Sequence, residues 1–339
     1  MTVQPATAAA VTPARPQSID IRVRDGLRLR VGFYPAPGSR LQPVVCLPGL
    51  TRNGRDFTDL ARALSAPGPL ARPVYTIDMR GRGLSEWDPN WKNYTVPHEA
   101  LDVIDVLNAL GLSHVALVGT SRGGLISMVL SAIQPSAIGL VVLNDIGPVI
   151  EQDGLIRIAG YVGRTPLPRS WTEATSVLRD ICKRDFPGIG MDVWGEVARQ
   201  WWNDKNGAPA LGYDPELKNA VSILDGPMPA LWAQFDALGR LPVLVIRGER
   251  SDLLSEATVA EMVRRHPHCS AFVVPDQGHA PLLKDTPSIE RIAAFIAARD
   301  DGQHGSKIAH TSQAAATASG AAAAGGIKKV SGGLAARLS

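Results

Sequence analysis

Val115-Ala116-Leu117-Val118-Gly119-Thr120-Ser121-Arg122-Gly123-Gly124 is the stretch from which the rest of the chain can be read. An apolar run ends in Gly-x-Ser-x-Gly, and Leu125-Ile126-Ser127-Met128-Val129-Leu130 continues with helical character. This is the pattern of a sharp strand-to-helix turn that lifts one serine off the end of a strand. Such a turn strains the serine backbone, and side chains two positions either side would meet neighbouring main chain, so glycine stands there. Ser121 is the candidate nucleophile, and its partners are expected later in the chain. A turn of this kind could also pack passively or hold a phosphate at the helix start. Thr120-Ser121 breaks the Gly-x-Gly-x-x-Gly pattern that dinucleotide binding wants, which favours catalysis.

Working outward, Val44-Val45-Cys46-Leu47, Val74-Tyr75-Thr76-Ile77, Leu140-Val141-Val142-Leu143, Val243-Leu244-Val245-Ile246 and Ala271-Phe272-Val273-Val274 are further apolar runs. Runs of this kind suit strands buried on both faces of a parallel sheet. Amphipathic segments alternate with them, at Phe57 to Leu64, His98 to Leu110, Gly124 to Ile133, Glu256 to Arg265 and Ile289 to Ala298. The alternation predicts an α/β fold with a doubly wound, mostly parallel sheet. Ahead of it, Ile19 to Val23, a turn at Asp25-Gly26 and Leu27 to Tyr34 read as a hairpin at the sheet edge.

The alternation breaks between Pro148 and Leu238, where five of the chain's seven tryptophans fall (Trp171, Trp194, Trp201, Trp202 and Trp232). Tryptophans usually pack, so a satellite core is the plain reading; a helical cap over an apolar pocket is the sharper one. The expected organisation is a disordered segment over 1–18, an α/β core over 19–147 and 239–300, a helical cap inserted between sheet strands over 148–238, and a low-complexity flexible tail over 301–339.

The composition excludes several function classes. Across 339 residues, 45% are hydrophobic and 20% charged, and the net charge of +3 is not gathered into a basic run. Neither nucleic acid nor a membrane surface is an expected partner. The three cysteines, Cys46, Cys182 and Cys269, are scattered, so neither a disulfide framework nor a metal site is expected. The first residues lack the apolar centre of a secretory signal, and no apolar run reaches the length of a membrane span; a cytoplasmic protein is expected.

A serine hydroxyl needs a neighbouring base, itself oriented by a carboxylate. Val243 to Ile246 leads into Arg247-Gly248-Glu249-Arg250-Ser251-Asp252, which puts Asp252 on a loop at a strand end. Ala271 to Val274 leads into Pro275-Asp276-Gln277-Gly278-His279, which puts His279 between that strand and the last helix. Asp145 also ends a strand and is the alternative acid, with Glu249 a distant third; Asp252 fits the commoner arrangement and is favoured. His98 and His114 come before the turn, His304 and His310 fall in the tail, and the His266-x-His268 pair is too small for a metal site.

With Gly119-x-Ser121-x-Gly123, Gly248-x-x-Ser251-Asp252 and Gly278-His279 in order, each after a buried strand, the chain resembles the α/β-hydrolase family over about Ile19 to Ala298. The resemblance implies a serine hydrolase of a carboxylic ester, thioester or lactone, with a small-molecule acyl substrate and no cofactor. It implies catalysis by Ser121, Asp252 and His279, and an oxyanion hole built from the backbone N–H groups of Leu50 and Arg122. Where many members carry His-Gly ahead of that first donor, this chain has Pro48-Gly49. The Arg122 side chain reads as a surface ion pair before a handle for a substrate carboxylate, and Asp78, Arg80 and Asp88 read as structural. The same constellation also serves cofactor-free haloperoxidases or perhydrolases and carbon–carbon bond hydrolases. A non-catalytic ligand receptor on the same fold is the alternative of another class.

Overall fold

The structure, a computed structural model, describes residues 16–219 and 229–300. Nearly all of the expected N-terminal segment, the whole tail from 301 and part of the 148–238 segment lie outside the described residues. The strands are β1 (Gln17–Arg22), β2 (Arg28–Tyr34), β3 (Val44–Leu47), β4 (Val74–Ile77), β5 (Val115–Thr120), β6 (Ile138–Asn144), a small pair β7 (Asn203–Lys205) and β8 (Ala208–Ala210), then β9 (Val243–Gly248) and β10 (Cys269–Val274). Eight of them form one sheet in the order β1-β2-β4-β3-β5-β6-β9-β10. β2 pairs antiparallel with β1 and β4, and every later pairing in the sheet is parallel.

The continuous apolar runs follow from burial on both faces. Val45, Leu47, Val115 and Leu117 pack into the core on one side of the sheet. Their neighbours Val44, Cys46, Ala116 and Val118 pack into the core on the other. Side chains alternate across a strand, so two cores require apolar residues at every position. The edge strand β1 needs apolar residues on one side only, and its exposed positions alternate accordingly. Its turn to β2 passes through Gly26 at φ 88°, in the left-handed region that favours glycine.

Helices α1 (Thr58–Ser65), α2 (Val96–Ala109) and α3 (Arg122–Ile133) supply crossovers. α2 starts two residues before the amphipathic pattern suggested, because Thr95 caps the His98 amide and Pro97 sits in the first turn. Between β6 and β9 lie α4 (Gln152–Tyr161), α5 (Trp171–Cys182), α6 (Met191–Trp201) and a short helix at Trp232–Asp236. Part of this segment builds a core of its own around Leu178, Phe186, Trp194, Val197 and Trp202. Phe186 meets Trp194 edge-on, with ring centroids 6.0 Å apart. After β9 come Glu256–Arg265, β10 and a helix over residues 286–300. Among the described residues no helix is long and apolar enough to cross a membrane.

Two groups of polar contacts fasten the inserted segment to the strand ends. The last carbonyls of α6 have no intrahelical donor; Asn53 Nδ2 donates to Gln200 O at 2.7 Å, and Arg55 Nη2 donates to Gln200 O at 3.1 Å and Trp202 O at 3.2 Å. Lys284 bridges Glu196 of α6, at 3.0 Å, and Asp59 of α1. The loop after β3 is thereby held against the end of α6.

Candidate active site

The parallel register brings the carboxyl ends of three strands level: Thr120 lies beside Asn144, and Asn144 beside Ile246. The residues that follow, Ser121, Asp145 and the β9 loop, emerge together at one edge of the sheet, where open α/β sheets bind ligands.

Ser121 sits at φ 51°, ψ −115°, a conformation rare for a residue with a side chain. The flanking glycines are required by close approach. A Cβ on Gly119 would stand 2.5 Å from the Gly123 carbonyl carbon, and one on Gly123 would stand 2.0 Å from Leu47 O. The turn is held by Ser121 N donating to Asn144 O at 2.9 Å and by Gly124 N donating to Ser121 O at 2.8 Å.

His279 Nε2 lies 2.9 Å from Ser121 Oγ, and His279 Nδ1 lies 2.8 Å from Asp145 Oδ2. Asp145 is fully buried, yet its carboxylate is saturated with donors: Gly248 N reaches Oδ1 at 2.8 Å and Ser251 Oγ reaches Oδ2 at 2.6 Å. A buried carboxylate so supplied is held in one orientation. The imidazole between them is placed to take the Ser121 proton at Nε2 while Nδ1–H remains bonded to the acid.

The structure corrects the reading that favoured Asp252 as the imidazole's partner. Arg157 of α4 grips Asp252 with two hydrogen bonds, Nε to Oδ2 at 2.6 Å and Nη2 to Oδ1 at 2.8 Å. Burial would raise the Asp252 carboxyl, but the Arg157 hydrogen bond and charge outweigh it and hold the group below its ordinary value. β6 and β9 are neighbours, so both aspartates reach the same edge; Asp145 takes the imidazole and Asp252 the guanidinium. Glu249 faces neither group and braces the loop after β10, accepting from Asp276 N at 2.9 Å.

Leu50 and Ser121 line one cavity of about 90 Å³, together with Gly49 and His279. A Cβ on Gly49 would stand 3.8 Å from Ser121 Cβ, so the loop backbone passes directly against the serine. The Arg122 amide opens α3, where helix N–H groups have no intrahelical acceptor. The Arg122 side chain turns away from the cavity and is no surface ion pair either. Its Nε donates to Glu99 Oε2 at 2.6 Å and its Nη2 to Tyr94 O at 2.8 Å. Glu99 is fully buried and also accepts from Arg82 Nη1 at 2.7 Å, while Arg82 Nε donates to Leu50 O at 2.7 Å. One carboxylate on α2 thus ties together the two loops that flank Ser121. Sequence reasoning missed Glu99, because an acid in an amphipathic helix carries no local mark of burial. Glu99→Ala leaves two guanidinium groups without their partner and should cost about 3–5 kcal/mol. The denaturant midpoint measures the loss, and Glu99→Gln, which keeps the shape, should lose less.

Asp78, Arg80 and Asp88 brace the neighbouring loop. Asp78 accepts from Gly54 N and Leu84 N, both at 2.7 Å, and the buried Arg80 pairs with Asp88, Asp25 and Asp102.

Residues 44–294 match the model of the alpha/beta hydrolase family. The chain belongs to the alpha/beta hydrolase family. It is 36% identical over 262 residues to a 3-hydroxybutyrate-oligomer hydrolase of Cupriavidus necator, a match that covers 75% of this chain and 87% of that one. An esterase of Mycobacterium tuberculosis is 26% identical over 221 residues, 62% of this chain and 70% of that one. Among solved structures, an alpha/beta hydrolase from Novosphingobium aromaticivorans superposes with a TM-score of 0.77 at 35% identity, covering 84% of this chain and 98% of that chain. The chain is a hydrolase of this family, and its mostly parallel eight-stranded sheet is the family's fold.

Proposed function

We propose that this hydrolase cleaves short carboxylic esters through an acyl-enzyme on Ser121, with His279 as base and Asp145 as acid. The observation that carries the reading is the unbroken relay from the buried Asp145 through His279 to a serine strained at the cavity wall. His279 Nε2 takes the hydroxyl proton as Ser121 Oγ attacks the acyl carbon, and Asp145 fixes the tautomer and stabilises the imidazolium. The amides of Leu50 and Arg122 receive the developing oxyanion, a charge better held by fixed dipoles than by water. His279 protonates the departing alkoxide; a water then enters, loses its proton to His279 and releases the acid. The segment between β6 and β9 covers the site as a cap, contributing Ile158, Phe186, Trp194 and Trp201 to the cavity lining.

The cavity's size argues for short acyl groups. About 90 Å³ lies well below the roughly 300–1,000 Å³ of pockets that take drug-sized ligands. The name of the Cupriavidus relative points the same way, to oligoesters of a four-carbon hydroxy acid. A series of p-nitrophenyl esters from acetate to decanoate tests this. kcat/KM should peak at acetate or butyrate and fall by about tenfold or more by octanoate. A peak at octanoate or beyond would contradict the short acyl assignment, and the absence of turnover on every ester would contradict the esterase reading.

A further inference from the structure

We infer that the cavity carries a second acceptor-binding position, built from Arg52 and Trp201, that receives a neutral carbonyl oxygen of an oligoester substrate besides the one under attack. The inference rests on the proposed esterase reading and adds to it the class of substrate.

Arg52 and Trp201 line the cavity, and each carries a buried donor, Arg52 Nη1 and Trp201 Nε1, that has no acceptor among the described residues. Buried donors are nearly always satisfied, so each unsatisfied one calls for an explanation. These two belong to one assembly: the Arg52 guanidinium stacks on the Trp201 ring, 3.7 Å from its centroid. The assembly adjoins the serine, since a Cβ on Gly49 would lie 3.5 Å from Arg52 Cγ and 3.8 Å from Ser121 Cβ. A substrate carbonyl brought against these donors supplies the acceptor they lack, whereas a methylene in the same place leaves them unsatisfied.

Charge selects a neutral acceptor over a carboxylate. Arg52 Nε and Nη2 are already taken by both oxygens of Asp56, at 2.7 and 2.6 Å. The other guanidinium on the wall, Arg157, is balanced by Asp252 at 2.6 Å and approaches Asp185 at 3.7 Å. A substrate carboxylate would therefore enter beside Asp56 and Asp185 with no free positive charge to meet it, a costly arrangement away from bulk water. A carbonyl accepts from Arg52 Nη1 and Trp201 Nε1 without that penalty.

Matched ester pairs provide the test. On the acyl side, p-nitrophenyl 3-acetoxybutyrate is compared with p-nitrophenyl 3-methylhexanoate, which has the same skeleton without the second ester. On the alcohol side, methyl 3-(butanoyloxy)butanoate is compared with hexan-2-yl butanoate and with its own free acid. The wild-type ratio of kcat/KM should favour the second carbonyl by about tenfold in at least one pair, and Trp201→Phe should lower that ratio roughly five- to tenfold. Arg52→Met should lower it further. General damage to the site scales both members of a pair and cancels in the ratio. Ratios near one in both pairs, a ratio that Trp201→Phe leaves in place, or faster turnover of the free acid than of its methyl ester would each overturn the inference while leaving ester hydrolysis standing. Failure to turn over any of these esters would instead remove the esterase reading on which it rests.

Discussion

Ser121→Ala should lower kcat on p-nitrophenyl butyrate by on the order of 10⁶-fold while leaving the protein folded, the scale of loss when a serine nucleophile of this type is removed. The fold should survive because the strained backbone at φ 51° already carries a Cβ, and alanine adds nothing to it. The turn's own hydrogen bonds, Ser121 N to Asn144 O and Gly124 N to Ser121 O, are made by main-chain atoms that alanine keeps. Residual turnover above the water rate is expected from the Leu50 and Arg122 amides, since oxyanion stabilisation and binding alone retain about 10³–10⁴-fold. An unchanged far-UV circular dichroism spectrum with abolished turnover is the predicted pair of results. Wild-type turnover in the variant would remove Ser121 from the chemistry.

Asp145→Asn should cost about 10⁴-fold in kcat, and Asp252→Asn only a few-fold. The reason is the tautomer. An asparagine at 145 can still accept from Gly248 N or Ser251 Oγ, but its amide donates toward His279 Nδ1. The ring proton then moves to Nε2, which can no longer accept from Ser121 Oγ. Asp252 touches the imidazole with no hydrogen bond; its loss frees Arg157 and should cost about 1 kcal/mol of stability at most, given its partial exposure. That contribution has a defined pH dependence. The folded carboxyl titrates below its ordinary 3.8, so the stabilisation is complete above pH 3.8 and lost as pH falls through the folded value. The stability gap between wild type and Asp252→Asn should therefore close in acid. A larger kcat loss from Asp252→Asn than from Asp145→Asn would restore the assignment suggested by the sequence.

The contrast between these two aspartates shows where reading the sequence stops. The strands were legible because burial on both faces writes β3 and the first four positions of β5 and β9 in apolar residues. The Ser121 turn was legible because only glycine fits at 119 and 123, against Gly123 and Leu47 backbone. His279 was legible from its place between the last strand and the last helix. The acid was not, because both aspartates follow neighbouring parallel strands and no local pattern says which carboxylate faces the ring. Arg157 decides it, and Arg157 belongs to α4 in the inserted segment, 95 residues before Asp252. Arg122 fails for the same reason: its partner Glu99 lies 23 residues upstream on another helix. Long-range polar pairing leaves little trace in periodicity or turn chemistry.

Covalent labelling with a fluorophosphonate probe, read by intact mass and peptide mapping, tests the serine mechanism most directly. One adduct per chain is expected, on the peptide carrying Ser121, absent in Ser121→Ala, much slower in Asp145→Asn and near the wild-type rate in Asp252→Asn. No adduct on the folded wild-type protein, or equal labelling of Ser121→Ala, would contradict it.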